Sequence, residues 1–145
     1  MIDQKMIAAH QWIVDESERQ PGWWVEQTAW AYIATDITAT ALKLDSVWDI
    51  VAVACTLALG RLMILLSRSP ALMASIGASD LSLGVRFTLF ALDVYYIVRL
   101  FMEPNIERAA FVLSSVLLLS CNYFVACKPP RPRKRRQTVA QGGAA

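Results

Sequence analysis

Three polar residues that interrupt apolar runs are the side chains best placed for chemistry, namely Arg61, Asp93 and Asn122. A charged side chain near the centre of a membrane helix costs at least about 2.5–3.5 kcal/mol, so such residues pair with one another or reach water. At about 1.5 Å per residue, the three lie roughly 9, 10 and 8 Å from the same side of their predicted spans. We therefore expect one intramembrane polar layer in which Arg61 pairs with Asp93. The alternative for Arg61 is that its long stem carries the charge to the lipid headgroups.

Other chemistry has little basis in the sequence. The chain contains one histidine, His10, and its glycines form no phosphate-binding loop. Its acidic residues have no predicted cleft in which two of them could act as a catalytic pair. We therefore expect neither an enzyme nor a bound cofactor or metal.

Apolar residues make up 56% of the 145-residue chain, against roughly 45–50% in soluble domains, and they are concentrated after Ser46. The sequence predicts an all-α integral membrane bundle with three transmembrane helices, at about 47–66, 86–102 and 109–127. The third span has nineteen uncharged residues and a length of about 28 Å, close to the roughly 30 Å of a bilayer core. A soluble bundle would have to bury this span on every face, with little protein to surround it. The connection 67–85 is predicted to be a loop with a short helix near 71–76.

The first 46 residues form a separate polar segment that is rich in tryptophan. Within it, 28–44 repeats apolar residues at helical spacing, and Asp36 lies near the middle. This pattern predicts an amphipathic helix that lies in the membrane interface and precedes the three spans. A fourth crossing is the alternative. Because interfaces favour amphipathic aromatic rings, an interfacial role is expected for Trp23, Trp24, Trp30 and Trp48.

Small residues in the first span predict close helix packing. Ala54 and Ala58 are four residues apart, a spacing that lets two helix backbones approach, and Gly60 belongs to the same packing stripe. Arg61 continues the stripe one turn beyond Ala58. Packing and the polar layer are therefore expected to share one face of this helix.

Charge is divided unevenly along the chain. Residues 1–49 hold eight acidic and three basic side chains, whereas 128–145 hold six basic and no acidic ones. Basic residues near span ends stay on the cytoplasmic side, which places the C-terminus inside and, with three spans, the N-terminus outside. A fourth crossing by 28–44 would move only the N-terminus inside. The disordered tail is expected to bind anionic lipid rather than nucleic acid through Lys128, Arg131, Arg133, Lys134, Arg135 and Arg136.

This combination of three spans, an external N-terminus, charge within the spans and a short basic tail resembles the three-span class of small bacteriophage holins. The resemblance covers 47–136 as architecture only, because that class has no diagnostic residue motif. It implies a homo-oligomer in the bacterial inner membrane that abruptly permeabilises the bilayer and releases a muralytic enzyme. The alternative is a non-lytic membrane scaffold or accessory subunit that holds a protein partner through residues 1–46.

Overall fold

The computed structural model describes residues 2–41 and 46–131, and these residues form helices without any strand. In chain order they are α1 (Ile2–Ser17), α2 (Pro21–Ala41), α3 (Val47–Ser67), α4 (Pro70–Gly77), α5 (Asp80–Met102) and α6 (Ile106–Val125). Among the described residues, α3, α5 and α6 are long and apolar enough to cross a membrane. The predicted all-α class with three spanning helices is confirmed.

Capping residues explain where the spans begin. The Asp49 carboxylate accepts hydrogen bonds from the backbone N–H and the hydroxyl of Ser46, at 2.9 and 3.1 Å, and α3 starts at the predicted residue. The Ser79 hydroxyl accepts from the Ser82 N–H at 3.2 Å, so α5 begins six residues before its predicted start at 86. The Asn105 side chain likewise begins α6 three residues before 109.

The connection between the first two spans contains the predicted short helix. This helix, α4, is eight residues long and has Pro70 at its first position, where a proline loses no hydrogen bond. It packs against the ends of α3, α5 and α6. Its role is therefore to close one end of the bundle between the spans.

The four long helices pack in the order α3, α2, α6, α5, so that α2 and α6 are the inner pair. Each helix runs antiparallel to its neighbours. Gly22, at the start of α2, approaches Ser67 at the end of α3, and the second half of α2 reaches the middle of α3 through Asp36 and Thr56. The helices α3 and α5 lie at the two edges of this row, and their outer surfaces are apolar and exposed.

The inner position of α2 differs from the interfacial helix expected at 28–44. The helix starts at Pro21, and it buries Val25, Ala29 and Ile33 against its neighbours; residues 42–45 lie outside the described part of the chain. Its polar composition suits this place because its threonine hydroxyls donate to carbonyls four residues earlier in the same helix, at 2.7–2.9 Å. The four threonines are Thr28, Thr35, Thr38 and Thr40. Its hydroxyls therefore do not enter the bundle unpaired.

The first helix, α1, lies against the C-terminal part of α6. His10 and Val14 are buried there, and the His10 ring stacks on Tyr123 at 5.1 Å and meets the edge of Phe124 at 4.8 Å. The chain then turns into α2 through Glu18, whose φ of 55° lies in the left-handed region. Thus α1, rather than α2, is the helix that packs outside the row, against the C-terminal part of α6.

Both ends of the described chain meet where α1 packs against the C-terminal part of α6. The Gln11 side chain donates to the Lys128 carbonyl at 3.1 Å and accepts from the Lys128 N–H at 2.8 Å. The Arg131 N–H donates to the Asp15 carboxylate at 3.2 Å. We call this end, where α1 meets the start of the tail, the basic end. The start of the tail therefore packs on α1.

Candidate functional site

Asp36 joins three helices through its carboxylate. The Thr56 hydroxyl of α3 donates to one oxygen of Asp36, and the Ser114 hydroxyl of α6 donates to the other at 2.8 Å. Thr56 and Ser114 are both buried. A carboxylate with both oxygens paired is far less costly inside a bundle than one without partners. Asp36 is therefore the polar contact shared by the two seams of α2.

Asp93 holds a different position in the α5–α6 seam. The Ser115 hydroxyl donates to its Oδ1 atom, but Oδ2 is buried and has no hydrogen-bond partner among the described residues. Only 4% of Asp93 is exposed. Leaving a buried acceptor unpaired costs about 1–3 kcal/mol, and more for a charged group. Asp93 is thus the least satisfied polar side chain in the described part of the molecule.

These two carboxylates belong to one set of side chains that crosses all four long helices. Ser114 and Ser115 are adjacent on α6 and contact opposite neighbours, so they connect Asp36 on one side with Asp93 on the other. We call the set the polar row, and it consists of Thr56, Asp36, Ser114, Ser115 and Asp93.

The polar row lies halfway along the three spanning helices. Thr56 is nine residues from the start of the 21-residue α3, and Ser115 is nine from the start of the 20-residue α6. Asp93 is nine residues from the end of the 23-residue α5. In a bilayer with a core of about 30 Å, these positions lie near the midplane, where charge is most costly.

The polar row corrects the predicted layer of Arg61, Asp93 and Asn122. Arg61 is exposed on α3 and forms no ion pair with Asp93 in the described structure. Asn122 is buried at a different level, and its amide donates to the Leu118 carbonyl at 2.9 Å. The physical reason is that α2 and α6 lie between α3 and α5, so Arg61 and Asp93 cannot meet. Only Asp93 is common to the predicted and observed sets.

The predicted packing stripe is divided between two faces of α3. A Cβ atom on Gly60 would lie 2.4 Å from the Ile33 side chain, so a larger residue there would displace Ile33 from the contact of α2 and α3. Ala54 and Ala58 instead lie on the exposed face of the helix. Gly60 therefore serves the seam within the chain, whereas the two alanines face outward.

The predicted interfacial aromatic residues lie at different heights along the axes of the packed helices. Trp23 is exposed at the basic end, and the Arg19 guanidinium lies 5.2 Å from its ring centre. Trp24 is partly buried and stacks on Phe124 at 5.4 Å. Trp48 is exposed near the start of α3, at the opposite end, and Trp30 is exposed on α2 between the two.

The basic anchor residues are only partly within the described chain. Lys128 and Arg131 are exposed at the basic end. The other four predicted anchor residues lie outside the described residues: Arg133, Lys134, Arg135 and Arg136. Burial raises the pKa of the neighbouring Cys127 thiol to about 12, and the Asp15 charge adds to this shift.

A buried arginine that was not singled out from the sequence connects α1 with α5. Only 4% of Arg86 is exposed, and its Nε atom donates to the Asp3 carboxylate at 2.9 Å. A second donor reaches Ser82 at 2.7 Å, and the guanidinium lies 5.7 Å from the centre of the Tyr123 ring. The sequence signal was an opposite charge on Asp3, but 83 residues separate the two.

The described residues contain no group of three or more histidine, cysteine or acidic side chains that could hold a metal ion. Comparison of the chain with protein-family models, curated proteins and solved structures finds no match. Functional inference therefore depends on the polar row and on the charges at the two ends of the row of helices.

Proposed function

We propose that this protein is a small membrane protein that oligomerises and permeabilises the bacterial inner membrane, as holins do. The observation that carries the proposal is the polar row, above all the buried Asp93 oxygen without a partner at mid-depth. Ionisable residues within spans face the bundle interior or a water-filled cavity, and they mark pathways for ions, protons or substrates.

The donors around the two carboxylates are hydroxyl groups. Neither Asp36 nor Asp93 forms an ion pair with a described residue, so no buried positive charge compensates them there. A carboxylate in this setting is stabilised when water reaches it. An assembly that admits water to the seams would supply this stabilisation.

The seam between α5 and α6 is the one best suited to open. Of the three spanning helices, α5 is the least buried, with 17% of its most apolar stretch buried against 28% for α3 and 33% for α6. At mid-depth α5 is held by the contact of Ser115 with Asp93. Separation of α5 from α6 between assembled copies would turn both side chains toward a water-filled lumen.

The proposed topology places the basic end in the cytoplasm, with α2 as a fourth crossing. Basic residues are retained on the cytoplasmic side, and Lys128 and Arg131 lie at this end. The contacts of Lys128 with Gln11 keep α1 on the same side. Both termini are then cytoplasmic, and the Glu103–Arg108 ion pair at 2.5 Å belongs to the external connection.

Inducible expression in a bacterium tests the proposal. The wild-type chain should give normal growth, followed by an abrupt loss of membrane potential and optical density. Asp93→Asn should change the onset of the collapse at equal membrane content. Asp80→Asn is the matched control, because Asp80 is an exposed acid at the start of the same helix. Steady growth with an intact potential would reject permeabilisation and favour the non-lytic scaffold.

Cysteine accessibility tests the proposed opening of the seam. In a chain whose three cysteines are replaced by serine, Asp93→Cys should react with a membrane-impermeant maleimide only after the collapse. Leu92→Cys is the control at the same depth, because Leu92 is exposed on the outer face of α5 and should stay in lipid. Labelling of Asp93→Cys before the collapse, or equal labelling of the two positions after it, would contradict a lumen lined by Asp93.

A further inference from the structure

Two cavities of similar size lie at the basic end, and they differ in the charged residues that line them. The first has a volume of about 420 Å³ and lies between the start of α2, α4 and the end of α6. We call it the α4 groove. Its walls are mainly apolar and include Pro21, Met73, Ala74, Gly77, Val125 and Cys127, and Lys128 is at its rim. A volume of this size and an apolar lining are typical of small-ligand sites.

Two glycine contacts fix the walls of the α4 groove. A Cβ atom on Gly22 would lie 2.5 Å from the Ser67 carbonyl oxygen, where α2 meets α3. A Cβ atom on Gly77 would lie 2.7 Å from the Val125 carbonyl oxygen, where α4 meets α6. Backbone therefore packs directly on backbone at both contacts. The spacing of the helices around the groove is therefore set by main-chain contacts.

The charge of the α4 groove selects an anionic ligand. None of the described aspartates or glutamates lines it, and Lys128 and Arg68, which follows the lining residue Ser67, are both exposed. The second cavity, also about 420 Å³, lies between α1 and α5 and is lined by Asp3, which pairs with Arg86, and by the exposed acid Asp80. An anion is therefore favoured at the α4 groove, where the charged lining residue is Lys128.

The position of the α4 groove suits a lipid. It lies where α3 and α6 end, which is the level of the headgroups if these helices cross the bilayer. We propose that the α4 groove binds one acyl chain of an anionic phospholipid, with the headgroup phosphate at Lys128 and Arg68. This site is independent of the permeabilising activity, since it would serve a non-lytic membrane protein equally well.

Native mass spectrometry of the purified full-length protein in detergent tests the site. With dioleoyl phosphatidylglycerol, one tightly bound lipid per chain is expected, and dioleoyl phosphatidylcholine should bind more weakly. Lys128→Gln should weaken phosphatidylglycerol binding about fivefold, since one basic residue near an anionic surface contributes roughly that factor. Lys5→Gln is the control, because it removes the same charge from an exposed residue that does not line the groove. Equal affinity for the two lipids, or equal effects of the two substitutions, would overturn the role of the anionic headgroup.

Filling the α4 groove tests the acyl chain. Ala74 and Ala71 are both exposed on α4, but only Ala74 lines the groove. Ala74→Trp should abolish the bound phosphatidylglycerol and Ala71→Trp should retain it. If Ala74→Trp lacks the circular dichroism spectrum of the wild type, Ala78→Trp fills the same groove from another position in its lining. Retention of lipid by a folded groove-filling variant would overturn the site, and so would full competition by glycerol 3-phosphate, which has no acyl chain.

Discussion

Asp36 and Asp93 are two carboxylates of one polar row, but the structure treats them differently. Asp36 accepts hydrogen bonds from two neighbouring helices, whereas Asp93 accepts one and keeps a buried oxygen without a described partner. The first arrangement locks α2 between α3 and α6. The second leaves α5 held by a weaker polar contact. Among the four packed helices, the inner part is therefore rigid, whereas α5, at the edge, can move.

Glycine packing shows the same contrast. Gly60 brings α3 into contact with Ile33 of α2, and no side chain fits between them. On α5, a Cβ atom at Gly84 would meet nothing within 4 Å. The seams of α2 are therefore close-packed, whereas α5 retains free surface where it could pack against another helix.

The largest expected effect follows from filling these two glycine positions. Gly60→Leu should lower the free energy of unfolding by about 3 kcal/mol, because Ile33 must be displaced from a packed core. Gly84→Leu should raise it by up to about 1 kcal/mol, because a glycine within a helix is replaced without a clash. Chemical unfolding in detergent, followed by circular dichroism, measures both. Equal destabilisation by the two substitutions would remove the distinction between the inner seams and α5.

The second effect comes from the carboxylates themselves. Asp36→Ala should lower the free energy of unfolding by about 2 kcal/mol, because two buried hydroxyls lose a charged acceptor. Asp93→Ala should change it by less than about 1 kcal/mol, because a partly unpaired charge is also removed. The Ser115 hydroxyl keeps the Val112 carbonyl as an acceptor at 3.2 Å.

The same unfolding assay decides between the two carboxylates. If Asp93→Ala were the more damaging substitution, Asp93 would be a structural contact and the proposed opening of α5 would lose its basis. A stable Asp93→Ala variant with altered permeabilisation would instead separate the functional carboxylate from the structural one.

The sequence predicts the spans well because their signals are local. Apolar runs of helix length indicate α3 and α6 to within three residues and α5 to within six, and the short helix expected near 71–76 is α4. The position of α2 could not be found in this way. Its mean hydropathy is lowered by threonines whose hydroxyls bond to their own helix, and by Asp36, whose partners lie 20 and 78 residues away along the chain.

The polar row could be predicted only in part for a related reason. The depth of Asp93 follows from counting residues along one helix. Its partner depends on which helix is its neighbour, and that is decided by the insertion of α2 beside α6. The sequence signal available for the polar row was a serine in the middle of a span, such as Ser114 or Ser115. It is weak, because serine hydroxyls in membrane helices also bond to their own backbone.

A third effect concerns the Asp3–Arg86 ion pair, which joins α1 to α5 at the basic end. Asp3→Asn should lower the free energy of unfolding by about 1–2 kcal/mol, because the buried Arg86 loses its counter-charge while Asp3 is partly exposed. The loss should appear first as faster hydrogen exchange in α1. Lys5→Gln, an exposed change on the same helix, is the control. Unchanged exchange in α1 would mean that the Asp3–Arg86 pair does not hold this helix in place.

The smallest effect is a pH dependence of the contact between α1 and α6, through His10. Burial lowers the pKa of His10 from its ordinary value of 6.5, although its hydrogen bond to the Met6 carbonyl opposes the shift. Below about pH 6.5 the unfolded chain therefore binds a proton that the folded chain does not, and stability falls as the pH falls toward the lowered pKa. Above that pH, His10 contributes no pH dependence.

The thermal midpoints of the wild type and His10→Gln, compared from pH 7.5 to 5.5, isolate this contribution because the chain has one histidine. The advantage of the wild type should shrink on acidification, since only the wild type can protonate at this position. If it grew instead, the imidazolium would be the form that α6 stabilises. Acid would then strengthen the packing of α1 on α6 rather than weaken it.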